Sequence, residues 1–169
     1  VSSGEILGLV GPNGSGKTTA INVISGLYAP DGGEVVLDGA SIGGRVSHKL
    51  VHLGINRTFQ IPKTFLSLTV RQNVEVALAY GGAATPPPAI TDLLDEYRLI
   101  EVADRPAADL NNAQQKMLDL ARALATRPRL LLLDELAAGL NPAELDWIAE
   151  RIQALAKGGM AIIVVEHLM

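Results

Sequence analysis

Apolar positions along the chain fall into two kinds of pattern. Short continuous runs, Glu5–Val10, Gly54–Thr58, Leu130–Leu133 and Ala161–Val165, predict buried strands. Between them, apolar residues recur at helical spacing. Helices are expected over about Lys17–Gly26, Ser47–Leu53, Leu68–Ala79 (Val70, Val74, Leu78), Ile90–Ile100 and Ala113–Ala125. Asn141-Pro142-Ala143-Glu144 opens another: a capping Asn, a Pro in the first turn and a Glu reaching back. Its apolar face is Leu145, Ile148, Ile152 and Leu155, and Lys157-Gly158-Gly159 ends it. Glu34–Asp38 alternates weakly and predicts a more exposed strand after the Pro30–Gly33 turn. Three prolines in Gly81–Pro88 exclude both a helix interior and a central strand, so a loop is expected there. Buried strands alternating with helices predict an α/β fold with a mostly parallel sheet flanked by helices.

Composition narrows the field. A chain of 169 residues can bury one core. A net charge of -4 argues against a general nucleic-acid partner, which needs a basic face. No cysteine is present, so disulfides and thiolate metal sites are excluded. No apolar run reaches the roughly 20 residues that span a bilayer. The first residues lead into a glycine-rich loop rather than a cleavage site, which argues against a signal peptide. The chain starts at Val1 and looks cut from something longer.

The chemistry begins at that loop. Gly11-Pro12-Asn13-Gly14-Ser15-Gly16-Lys17-Thr18 fits G-x-x-x-x-G-K-[ST] at every fixed position, between a strand and a helix. Glycines let backbone N–H groups converge on phosphates, and the helix beginning near Lys17 adds its positive end. Lys17 is expected on the β- and γ-phosphates of a nucleotide, with Thr18 as a Mg²⁺ ligand and Thr19 beside it. After Leu130–Leu133 come Asp134 and Glu135. At the carboxyl end of a central strand they fall near the phosphate loop. Asp134 is then a second Mg²⁺ ligand, and Glu135 can orient and deprotonate water. N-K-x-D and D-x-x-G, which small GTPases would carry, do not occur.

These motifs, in this order, resemble ABC transporter ATPases over nearly the whole chain. Gln60, in Arg57-Thr58-Phe59-Gln60, is similar to the family's Q-loop glutamine, implied to touch Mg²⁺ and sense the membrane partner. Leu110–Gln114 stands where the L-S-G-G-Q signature belongs, which makes Asn111 and Gln114 contacts to a second subunit's ATP. Ala138–Asn141 resembles the D-loop, and His167 the switch histidine of the γ-phosphate. Asn56–Pro62, Phe65–Ala77 and Ala137–Pro142 look like the ATP-binding subunits of branched-chain amino-acid importers.

The resemblance implies a P-loop NTPase fold of ABC type, truncated at both ends, with a helical subdomain of about residues 61–125 inserted before the Asp134 strand. It implies ATP and Mg²⁺ as ligands. It implies a head-to-tail partnership with a second ATP-binding subunit, identical or not, and transmembrane permease subunits at the cytoplasmic face of the cell membrane. No nucleic-acid partner is expected. The adenine-stacking aromatic would lie upstream of Val1. The sequence departs from the family at Asn111 for Ser, Ala113 for Gly and Leu136 for Pro. The first two leave a nucleotide-binding module with weak turnover as one alternative. A soluble ABC ATPase acting on DNA or ribosomes is the other. Outside these motifs, His48 and His52 are expected on the surface, Trp147 in packing and Glu166 in solvent.

Overall fold

Leu130–Leu133 have all four side chains buried, which requires a packed layer on each face of their strand. The computed structural model describes residues 1–81 and 89–166. In chain order the elements are β1 (Ile6–Val10), α1 (Lys17–Ile24), β2 (Val36–Leu37), β3 (Ala40–Ser41), α2 (Ser47–His52), β4 (Ile55–Arg57), α3 (Val70–Tyr80), α4 (Ile90–Glu96), α5 (Asn112–Ala125), β5 (Leu130–Asp134), α6 (Pro142–Lys157) and β6 (Ala161–Glu166). Two single 3₁₀ turns, Ile100–Val102 and Ala107–Asp109, lie between α4 and α5. The triple-proline loop expected at Gly81–Pro88 lies, beyond Gly81, outside the described residues.

β1, β6, β5 and β4 make one parallel sheet in that spatial order. Leu131, Leu133 and Ile162 point into a core built with α3, α4, α5 and α6. Leu130, Leu132, Ile163 and Val165 point the other way, onto Ile21 of α1, Leu50 of α2 and Ile42. Each leucine buried there contributes about 1.5–3 kcal/mol, so the leucine run holds the two layers on one sheet. The register pairs Leu132 with Ile163 and Asp134 with Val165, which fixes where β5 delivers its acidic end.

Three helices begin with reciprocal capping boxes: Thr69 with Gln72, Asn111 with Gln114, and Asn141 with Glu144. Each satisfies two N–H groups that the first turn leaves unbonded. Only the third was expected from sequence.

Two expectations need correction. β1 is not buried: Ile6, Leu7 and Val10 are exposed, because among the described residues little packs over their side chains, although β1 pairs with β6 along its length. The strand expected over Glu34–Asp38 shrinks to Val36–Leu37, in a separate antiparallel pair with Ala40–Ser41. Asp38 and Gly39 turn between them with positive φ, which ends the extended run early.

Candidate functional site

The loop from Gly11 to Gly16 leaves β1 and enters α1 through Gly16, which caps the helix at φ 92°. Gly14 is also left-handed, at φ 79°. A β-carbon at either glycine would meet open space, so backbone angle and not crowding demands them. The Lys17 ammonium donates to the carbonyls of Gly11 (2.7 Å) and Pro12 (2.9 Å), which tethers it to its own loop. The first turn of α1 follows at once, with its N–H groups and dipole at the loop.

Asn13–Thr19, Gln60 and Glu135 line one cleft of about 340 Å³. It lies at the carboxyl ends of β1, β4 and β5, where open α/β sheets collect ligands. A larger cavity of about 550 Å³, lined by Asp38, Arg129 and Met160 among others, lies at the amino ends of β5 and β6 and contains none of the expected site residues. Chemistry therefore favours the smaller cleft.

Glu135 turns out of β5 with φ 50°, a conformation costing a non-glycine residue about 1–2 kcal/mol. Its N–H donates to Val165 O at 3.0 Å, and its Oε2 accepts from Gln60 Nε2 at 2.7 Å. Gln60 and Glu135, 75 positions apart, thus meet across the cleft. Asp134 lies just behind it, buried, and its N–H donates to Thr58 Oγ1 at 3.3 Å.

Arg57 closes the back of the site. Its guanidinium donates to Asp134 Oδ2 (2.8 Å), Asn22 Oδ1 (2.7 Å), Ser25 Oγ (3.0 Å) and Thr58 O (3.1 Å). One buried side chain thereby joins α1, β4 and β5. Burial pulls the Arg57 pKa below its ordinary value, while Asp134 and then Asp119 oppose that shift. The Phe59 ring lies between the Arg57 and Lys63 cations, with distances of 4.5 and 4.6 Å to its centroid. Phe59 N–H donates to Asp119 Oδ2 of α5 at 2.9 Å. Gln60 is therefore exposed on a loop whose preceding residues are pinned on both sides.

The donor set suits the expected ligands. A backbone cradle with a lysine fits phosphates, and Thr18, Gln60 and Asp134 are the oxygen donors that Mg²⁺ prefers. Asn111 and Gln114 do not reach this cleft. They cap α5 reciprocally, with Gln114 N–H on Asn111 Oδ1 at 2.8 Å, and line a separate cavity of about 220 Å³ with Ala113, Glu144 and Trp147. Trp147 makes a T-shaped contact with Tyr97, as expected of a packing residue, and the Arg98 guanidinium lies 4.4 Å from its ring centroid. His167 lies outside the described residues. Among the described residues no cluster of three metal-ligating side chains forms, and neither His48 nor His52 belongs to one.

Three residues escaped the sequence reading. Arg57 stands in the run Gly54–Thr58, and a lone arginine in a strand otherwise destined for burial is itself a signal. Lys116 falls within the helix expected over Ala113–Ala125. Its position four before Leu120 puts it on the buried face of α5, where its ammonium donates to Glu135 O and Leu136 O, both at 3.0 Å. Burial lowers its pKa, opposed by Glu166 and Glu135. Glu166, expected in solvent, is half-buried and accepts from Ala137 N–H at 3.1 Å, because parallel pairing carries β6 as far as the turn after β5.

Comparisons with known proteins identify the family and the fold. Residues 1–138 match the family model described as ABC transporter. The chain is 37% identical, over 99% of its length and 72% of the relative, to the high-affinity branched-chain amino acid transport ATP-binding protein BraF of Pseudomonas aeruginosa. It is equally 37% identical to the probable branched-chain amino acid transport ATP-binding protein LivG of Archaeoglobus fulgidus, over 99% of this chain and 70% of that one. Among solved structures, a dimeric ATP-binding cassette in a post-hydrolysis state with ADP and Pi superposes with a TM-score of 0.87. It is 26% identical, covering 99% of this chain and 77% of that one.

Proposed function

The chain belongs to the ABC transporter family of ATP-binding domains, and from that membership we propose that it powers an importer of branched-chain amino acids or related polar solutes. The observation that carries the mechanism is the single cleft in which Asn13–Thr19, Gln60 and Glu135 meet. The cargo is supported by the relatives' names, since nothing in an ATP site touches cargo.

In this reading the amides of Gly14 and Gly16 and the first turn of α1 bind the phosphates of ATP. Lys17 leaves the carbonyls of Gly11 and Pro12 to pair with the β- and γ-phosphates. Thr18, Asp134 and Gln60 would hold Mg²⁺, which when bound would neutralise charge developing on the phosphates. Glu135 takes the proton of the attacking water, and Gln60, hydrogen-bonded to it, aligns that carboxylate. His167 serves at the γ-phosphate. Residues of about 61–125 form the helical insertion that carries Asn111 and Gln114. These two meet ATP only when a second ATP-binding subunit docks head to tail and turns the α5 N-terminus toward the first subunit's cleft. Permease subunits hold the pair at the cytoplasmic face of the membrane. Among the described residues no helix is long and apolar enough to cross the membrane itself.

Uptake of radiolabelled leucine, isoleucine and valine, compared between cells carrying the parent gene and Lys17→Ala, tests the proposal. Uptake should depend on Lys17. Equal uptake in both strains, with ATP hydrolysis lost only in the variant, would separate this ATPase from that cargo.

A further inference from the structure

Among the described residues of the cleft, Glu135 alone has a backbone that is both left-handed and not glycine, so something must hold it there. Its N–H is fixed by β6 through Val165 O. Its carbonyl, and the next one at Leu136, both turn onto the same ammonium, that of Lys116. Lys116 is 5% exposed and sits on α5, five residues after the Asn111 cap. A lysine buried at such cost, with two convergent main-chain acceptors, is an anchor and not a solvated charge. The turn it grips carries no proline: Leu136 follows the acidic pair, so backbone stiffness there must come from contacts.

We propose that Lys116 is a positioning residue, which sets the carboxylate of Glu135 by holding that residue's main chain and so couples the placement of α5 to hydrolysis. This rests on the reading of Glu135 as the base. The coupling is local and direct. A movement of the α5 N-terminus, where Asn111 and Gln114 stand, is carried along one helical turn to Lys116 and from there to the carbonyl of Glu135. Gln60 meets the carboxylate of the same residue, so Glu135 is held by its main chain from α5 and by its side chain from the β4 loop.

Single-turnover ATP hydrolysis and MgATP affinity, measured on Lys116→Met, Lys116→Arg, Glu135→Gln and the Lys116→Met/Glu135→Gln pair, test it. Lys116→Met should slow hydrolysis about tenfold with affinity held within about twofold, and Lys116→Arg should recover most of the rate. In the Glu135→Gln background Lys116→Met should change nothing further, because a residue acting through Glu135 has nothing left to act on. Should Lys116→Met not fold, Lys116→Gln, which keeps a shorter donor, should show the same selective loss of rate. A fall of affinity in step with rate, or the same slowing in both backgrounds, overturns the proposal. So does an unchanged Lys116→Met rate. Parent-rate hydrolysis by Glu135→Gln would instead remove the base assignment, and this inference with it.

Discussion

Arg57 and Asp134 form an ion pair at 2.8 Å, with side chains only 8% and 3% exposed. The pair joins β4 to the acidic end of β5, and the remaining Arg57 donors reach Asn22 and Ser25 of α1. Removing the cation takes a buried carboxylate's ion-pair partner away, and breaking a buried pair from one side costs about 3–5 kcal/mol. Arg57→Met should therefore lower the urea midpoint severely. Arg57→Lys should lie between, because an ammonium cannot reproduce a planar fork shared among four acceptors. Parent-like stability in Arg57→Lys would show that charge alone, without that fork, holds the three elements.

Lys17 makes a different prediction, since among the described residues its hydrogen bonds go to carbonyls of its own loop. Lys17→Ala should leave the thermal midpoint nearly unchanged and weaken MgATP binding by roughly 10–100-fold, the worth of a charge-assisted phosphate contact. Scanning calorimetry reads the midpoint and titration calorimetry the affinity. Unchanged affinity would remove the cleft as the nucleotide site.

The parts of the site legible in sequence are those fixed by local backbone chemistry. Gly14 and Gly16 announce left-handed angles, and Leu130–Leu133 announces a strand covered on both faces. Order along the chain then put Gln60 and Glu135 in one series. What stayed hidden depends on contacts between distant elements. Nothing near Lys116 in sequence says that its carbonyl partners lie 19 and 20 positions on, beyond another strand. Glu166 read as solvated because its neighbour Ala137 is brought to it only by the β5–β6 register. β1 read as buried because a run of apolar residues does not reveal whether another layer covers its strand.

Asp119 gives the pH prediction. Burial pushes its carboxyl above the ordinary value of 3.8, outweighing the bonds from the Phe59 and Lys63 main chain and the Arg122 charge. A carboxyl raised on folding binds its proton more tightly in the folded state. Its contribution is full below the ordinary value and is lost as pH rises through the raised one. Asp119→Asn cannot titrate. The stability of this variant relative to the parent should therefore improve from acid toward neutral pH. Urea midpoints of both proteins across that range check the sign. A gap that stays constant, or moves the other way, means that the Phe59 and Arg122 contacts outweigh desolvation.

The α5 N-terminus carries the last prediction. Asn111 caps the helix and Ala113 is its second residue, so the N–H groups of the first turn are directed out of this chain's own core. In the proposed pairing they face the other subunit's γ-phosphate. A serine at 111 would cap as well as asparagine does, and it would add a hydroxyl donor. A glycine at 113 would remove the one methyl standing between that backbone and a phosphate, at a helix cost of about 0.5–1 kcal/mol. Asn111→Ser with Ala113→Gly should therefore raise steady-state hydrolysis several-fold while lowering the thermal midpoint by a few degrees. The two effects have opposite signs, so general stabilisation cannot imitate the first. Hydrolysis unchanged beside a lowered midpoint would mean that the Ala113 methyl already clears the phosphate, and that this signature is competent as it stands.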